Sequence, residues 1–337
     1  MIPLNATHWQ TTDWQQQYRE MIRKPEQLWQ RLALDPDEQP DIRDALQSFP
    51  LRVTEAFVAK MRPGDWRDPL LLQILPQAQE MQRQPGYSDD PLAEAAANPQ
   101  PGLIHKYHGR LLLITTPACA VHCRYCFRRA FPYNDNRPEQ PDWQAALDYI
   151  AAHPEIHEVI LSGGDPLSLP DDYLSRLVDR LVELPQLRTL RLHTRMPVVL
   201  PARITPTLVD SLQRKQLSTV VVVHANHPNE LDTQSSQALL NLKNAGFTLL
   251  NQSVLLRDIN DDANTLAALS HRLFACGVLP YYLHVLDRVT GAGHFHVDDT
   301  RAQQLVRQLL ATLPGYLVPR LVREEPGRDS KTPLALY

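Results

Sequence analysis

The chain is short of most residues that would give its architecture away. It holds four cysteines in 337 residues, and three of them crowd together at 119, 123 and 126, so no disulfide framework staples it. Glycine is scarce at 12 while proline reaches 29, and no glycine period appears, which excludes a collagen-like repeat. An excess of positive charge is also missing: 34 Lys and Arg face 38 Asp and Glu, a net charge of −4. That balance argues against a nucleic-acid coat protein or a polybasic membrane binder. No apolar run approaches the ~18 residues that a membrane-spanning helix needs. The first ten residues, MIPLNATHWQ, lack the basic and apolar regions of a secretory signal, so a cytoplasmic protein is expected. The chain is 43% hydrophobic and 21% charged, which suits a globular protein with a sizeable core.

What the sequence does have is a rhythm. β-Branched or apolar runs fall at 111–116, 158–162, 188–193, 219–223, 247–251, 280–286 and 316–322. Amphipathic stretches lie between them, for example at 172–183, 206–217, 235–245 and 263–275. Strands alternating with helices predict a parallel sheet with helical crossovers. Six or seven such units are too few for a closed eight-stranded barrel, so a partial barrel is expected, with a doubly wound open sheet as the alternative. Residues 1–100 read differently, as a mostly helical N-terminal extension carrying Trp9, Trp14 and Trp29. Its end, 84–101, is rich in Pro, Asp, Asn and Ala and reads as a linker or irregular segment. The core is then 101–337.

Chemistry-bearing residues follow the strands, where barrel-like folds build their sites. The cysteines after the first run are spaced C-x3-C-x2-C within TPACAVHCRYCFRR. Three soft thiolates on one tight loop can hold three corners of an iron–sulfur cube and leave one iron open. A closed zinc site would need a fourth ligand; His122 could supply it, which keeps a non-catalytic zinc protein as a competing reading. Arg124, Arg128 and Arg129 make this an unexpected stretch to find in a core. SGGDP at 162–166 could be a tight turn or a close approach of backbone to a ligand.

The pattern Cys119, Cys123, Tyr125, Cys126 resembles the signature of the radical S-adenosylmethionine (SAM) superfamily. From about 102 to 334 the chain resembles lysine 2,3-aminomutase. The resemblance runs through PGLIHKYHGR (101–110), CRYCFRR (123–129), LSGGDPL (161–167), HANHPNE (224–230), LLNQSVLLRDIND (249–261) and SKTP (330–333). It is closest to the short branch that makes β-lysine for elongation factor P. It implies a partial (βα)6 barrel and a [4Fe-4S] cluster on Cys119, Cys123 and Cys126. It implies SAM beside Tyr125, Gly163, Gly164, Asp165, Arg195, His224 and Gln252. It implies pyridoxal 5′-phosphate (PLP) on Lys331 as its Schiff-base lysine, with the phosphate at Lys106, Tyr107 and Arg110. Arg128 would take the substrate carboxylate, for which its bidentate fork is suited, while Asp287 and Glu324 would take a distal ammonium. Glu324 stands where the family has Asp, and Pro326-Gly327-Arg328-Asp329-Ser330 replaces the family's glycine run. The expected partners are free L-lysine, an elongation factor P lysine ligase that receives the product, and a reductant such as flavodoxin or ferredoxin. A same-fold enzyme acting on another amino acid, such as glutamate or arginine, is the main alternative. The sequence leaves the oligomeric state open.

Overall fold

The structure, a computed structural model, describes residues 13–35, 37, 41–136 and 143–336; Trp9 lies outside the described residues. Its strands are β1 (Leu103–Tyr107), β2 (Arg110–Thr116), β3 (Glu158–Gly163), β4 (Thr189–Thr194), β5 (Ser218–Val223), β6 (Thr248–Val254), β7 (Leu279–His284), β8 (Arg320–Arg323) and β9 (Thr332–Pro333). They form one sheet in strict sequence order. β2 to β8 are parallel, and an antiparallel strand closes each edge, β1 on β2 and β9 on β8.

Each parallel step is made by a helix: Gln144–Ala152, Asp171–Val182, Pro206–Leu212, Thr233–Asn244, Ala263–Ala275 and Asp299–Thr312. Right-handed crossovers that always advance by one strand keep every helix on the same face, and the twisted sheet rolls into a partial barrel. A doubly wound sheet would reverse its strand order, and this one never does. The helices start where the sequence says they should. Asp232, Asp262 and Asp298 accept hydrogen bonds from the backbone N–H of Ser235, Thr265 and Arg301, occupying donors that the first turn leaves free. Asp171–Val182 buries Tyr173, Leu174, Leu177, Val178 and Leu181, an i, i+3, i+4 stripe, with Asp171 and Asp172 in its first turn and Arg180 in its last.

Strand alternation decides what faces the barrel axis. On β4, Leu190 and Leu192 join the hydrophobic core, whereas Arg191 and His193 line the interior. Elsewhere Arg110, Ser162, Gln252, Tyr282 and His284 also point inward. A closed eight-stranded barrel fills its axis with layers of Val, Ile and Leu. Here polar side chains share the axis with Leu112, Ile160 and Val222, and a chamber remains.

The N-terminal region forms short helices, Trp14–Arg19, Pro25–Leu32, Arg43–Ser48, Glu55–Val58 and Pro69–Leu72. Its Leu28, Phe57, Leu70 and Ile74 belong to the same apolar cluster as the barrel's Leu161 and Leu190. Lys60, on the turn after Glu55–Val58, is a polar anchor. Its Nζ donates to the carbonyls of Val198 (2.6 Å) and Glu230 (2.9 Å) and lies 3.3 Å from Asp232.

Candidate active site

One cavity of about 330 Å³ is lined both by the three clustered cysteines and by Lys331. The strand order makes this possible: the Cys loop leaves β2 and Lys331 precedes β9, so the top of a rolled sheet brings both to one mouth.

The Cys loop is held from two sides. The Cys119 carbonyl accepts from Arg52 Nη1 at 3.2 Å and from Tyr18 Oη at 3.4 Å, both from the N-terminal region. On the other side Gly164 N–H donates to the Thr116 carbonyl and Asp165 N–H to the Ala118 carbonyl. A Cβ on Gly163 would lie 2.6 Å from the Thr116 carbonyl oxygen, and one on Gly164 would lie 2.3 Å from that of Ala118. The glycine pair therefore serves the seating of the Cys loop against β3. Asp165 accepts from Thr194 Oγ1 and from the backbone N–H of Arg195 and Leu167, tying β3 to β4. Burial pushes the Cys126 thiol up to about 11 and that of Cys119 well up, so a metal held there would have to displace their protons. Among the described residues no three His, Cys, Asp or Glu side chains converge on one ion. A cube that offers each thiolate its own iron needs no such convergence. His122 is turned to other work: its Nδ1 lies 2.8 Å from the Pro50 carbonyl and its ring stacks on Phe49.

The three arginines of CRYCFRR depart from expectation, because they do lie in the interior. Arg124 is fully buried and Arg128 is 6% exposed. Partners that the sequence did not advertise make this tolerable. Glu80 holds Arg124 at 2.6 Å and Arg129 at 2.7 Å. Glu94 takes Arg128 in a fork, with Nε at 2.8 Å and Nη2 at 2.7 Å. Paired and hydrogen-bonded charges are the ones a dry interior accepts.

A second network surrounds Arg195. Its Nη1 donates to Cys123 Sγ (2.8 Å) and Tyr125 Oη (2.9 Å), and its Nη2 to Gln73 Oε1 (2.7 Å) and Glu230 Oε2 (2.9 Å). His224 has both nitrogens engaged, by the Gln252 carbonyl at 2.9 Å and Tyr125 Oη at 2.8 Å. Burial lowers its pKa to about 4, so the ring is neutral. Gln252 Nε2 is buried without a partner and belongs to the cavity wall, a donor that a polar ligand would satisfy.

Around Lys331 the two edges of the sheet meet. Glu324, just past β8, accepts from Lys331 Nζ at 2.5 Å and from Lys106 Nζ of β1 at 3.2 Å. This triad bridges the open seam between first and last strands. Burial raises the Glu324 carboxyl, but Lys331 and Lys106 outweigh it and hold the group well below the usual range. The replaced glycine run, 326–330, forms the turn between antiparallel β8 and β9, with Gly327 at φ 74°. Arg110 sits 4.5 Å over the Tyr107 ring. His193 and His284 present buried Nε2 atoms without partners in the same wall. Orphaned donors and acceptors beside a lysine fit a polar aromatic coenzyme. Asp287 lies in the wall too, its pKa raised to about 7 by burial and by Glu324. Sequence reasoning missed Gln73, Glu80, Glu94, His193, Glu230 and His284. HANHPNE did contain Glu230, and its place in one motif with His224 was the available signal.

Comparison with known proteins agrees with this geometry. Residues 113–269 match the Radical SAM superfamily. The L-lysine 2,3-aminomutase of Escherichia coli (strain K12) is 50% identical over 96% of this chain and 95% of its own length. That of Haemophilus influenzae is 46% identical over 98% of both chains. That of Buchnera aphidicola is 42% identical over 95% of this chain and 94% of its own. A cysteine triad, an inward-facing lysine and near full-length similarity together place the chain in the lysine 2,3-aminomutase family of radical SAM isomerases.

Proposed function

We propose that the protein converts L-α-lysine to β-lysine, using a [4Fe-4S] cluster, SAM and PLP. The observation that carries this reading is the single cavity shared by Cys119, Cys123, Cys126, Arg128, Asp287, Glu324 and Lys331. Cys119, Cys123 and Cys126 would hold the cluster and Lys331 the coenzyme, its phosphate within reach of Lys106, Tyr107 and Arg110. When bound, the cluster supplies the electron that cleaves SAM to a carbon radical, and the coenzyme supplies the carbonyl that carries the migrating nitrogen. The chain's own residues bind, orient and exclude. Arg128 faces the substrate carboxylate, the group its planar fork suits best. Asp287 faces the ε-ammonium. Its raised pKa marks a carboxylate short of cationic company, which an arriving ammonium would supply. Glu324 already serves two lysines, so Asp287 carries the greater share of substrate charge. Tyr125, Gly163, Gly164, Asp165, Arg195, His224 and Gln252 border the SAM side, with Gln252 Nε2 free to donate. The N-terminal region, through Gln73 and Glu94, fixes Arg195 and Arg128 at the cavity wall. A one-electron donor such as flavodoxin or ferredoxin would feed the cluster. Resemblance supports delivery of β-lysine to an elongation factor P ligase.

An anaerobic assay tests the reaction. Protein reconstituted with iron, sulfide and PLP should, with SAM, reductant and L-lysine, give β-lysine by mass spectrometry. Cys126→Ala and Lys331→Ala should each abolish it. Free 5′-deoxyadenosine without β-lysine would reassign the substrate. Neither product, from protein holding its full iron and sulfide, would overturn the reading.

A further inference from the structure

The segment 84–101, which reads as a linker, sends one carboxylate into the cavity. Glu94 is 4% exposed and lies in the wall beside Arg128. Its place is fixed locally. Ala93 adopts a left-handed conformation (φ 49°) just before the 3-10 turn Glu94–Ala97. Asp90 accepts from the backbone N–H of Glu94 at 2.8 Å and of Ala95 at 3.1 Å. A turn built this firmly, around a left-handed non-glycine residue, aims the Glu94 side chain at one target.

That target is one edge of Arg128. A guanidinium carries five N–H donors. Nε and one N–H of Nη2 go to the two Glu94 oxygens, and one N–H of Nη1 goes to Ser162 Oγ at 3.0 Å. Among the described residues this leaves one N–H on each terminal nitrogen for a second carboxylate. Lys106 Nζ lies 3.5 Å from Glu94 Oε1 but 3.2 Å from Glu324 Oε1, so it is shared between two acids and draws only in part on the one that holds Arg128.

We infer that Glu94 is a positioning residue: it holds the side edge of Arg128 so that the end edge meets the substrate's α-carboxylate. This rests on the reading of Arg128 given under Proposed function. Glu94 touches neither substrate nor reacting atoms; it acts through Arg128. Its loss should therefore weaken only ligands that own a carboxylate.

The test compares L-lysine with 1,5-diaminopentane, which is L-lysine without its carboxylate. Binding of each to the PLP-loaded protein is measured by calorimetry, without SAM or reductant. Glu94→Gln keeps the shape but cannot accept both Arg128 donors. It should weaken L-lysine by about tenfold to a hundredfold, the worth of a hydrogen bond to a charged group, and leave the diamine unchanged. Glu94→Asp, with charge kept and reach shortened, should give a smaller loss of the same selectivity, and it serves if the glutamine variant does not fold. Equal weakening of both ligands would reduce Glu94 to a structural role and overturn the inference. Tighter L-lysine binding would overturn it too, by making Glu94 a competitor for Arg128. Wild-type protein that binds L-lysine no better than the diamine would overturn both this inference and the carboxylate role of Arg128. Normal L-lysine selectivity with no β-lysine formed would instead leave this inference standing and overturn the proposed reaction.

Discussion

Asp287 and Glu324 share one wall of the cavity, yet their surroundings drive them in opposite directions. Glu324 has two lysines that hold it ionised, whereas burial and the neighbouring Glu324 push Asp287 up to about 7. An unfolded aspartate titrates near ~3.9. The folded protein therefore keeps a proton on Asp287 that the unfolded chain has released. The stability this contributes is fully present below about pH 4 and is lost as pH rises through about 7. Asp287→Asn stays neutral throughout. It should gain on the parent by roughly 1–4 kcal/mol between pH 4 and pH 8, read from urea unfolding of the coenzyme-free proteins. A pH-independent difference would show that Asp287 does not titrate in this window. The same variant should lose at least about a hundredfold in kcat/KM for L-lysine, as expected for removal of the charged partner of a desolvated ammonium. Legibility at this scale was uneven. The cysteines were plain because their spacing is itself the chemistry. Lys331 looked like any lysine near a chain end, and only resemblance singled it out. Glu80 and Gln73 looked like ordinary residues of the helical extension, and Glu94 like part of a linker. The burial of Glu80 and Glu94 follows from the arginines of a loop more than 30 positions away and that of Gln73 from Arg195, and no local pattern carries such a pairing.

At the scale of elements, the seven parallel strands and their crossovers were legible because apolar periodicity records which face is buried. The edge strands were not. β9 spans only Thr332–Pro333, and β1 lies within a stretch that reads first as a motif, LIHKY. Such short strands exist because a neighbour offers unpaired backbone, which is a tertiary cause. The junction of β3 with the Cys loop is the most demanding piece of local geometry. Backbone atoms of Pro117 and Ala118 occupy the space a Gly164 Cβ would need. Gly164→Ala should cost about 1–3 kcal/mol through the forced backbone shift and should lower bound iron and sulfide per chain in parallel. Thermal melting and metal analysis on one preparation check both; full iron content in a destabilised variant would separate the loop from the cluster.

The whole molecule is held together by a region that the sequence sets apart. Lys60 is the polar pin of that arrangement, with its Nζ on two carbonyls of the barrel's loops. Lys60→Met keeps the length of the side chain and abandons those acceptors. It should destabilise the protein by about 2–4 kcal/mol, read from urea unfolding, since buried carbonyls and Asp232 lose their partner. Unchanged stability would mean that Lys60 adds nothing to the other contacts that join the two regions.

The ion triad across the seam also imposes an order in time. Lys106 and Glu324 are 218 positions apart, and Lys331 follows still later. A chain made from its N-terminus can fold β2, its Cys loop and the strands beside it while the rest is still being synthesised. The lysine end of the chamber cannot exist until the last hairpin arrives. During its manufacture the chain therefore owns a thiol-rich loop before it owns the wall that would direct a radical, and the capacity for chemistry is withheld until the sheet is complete.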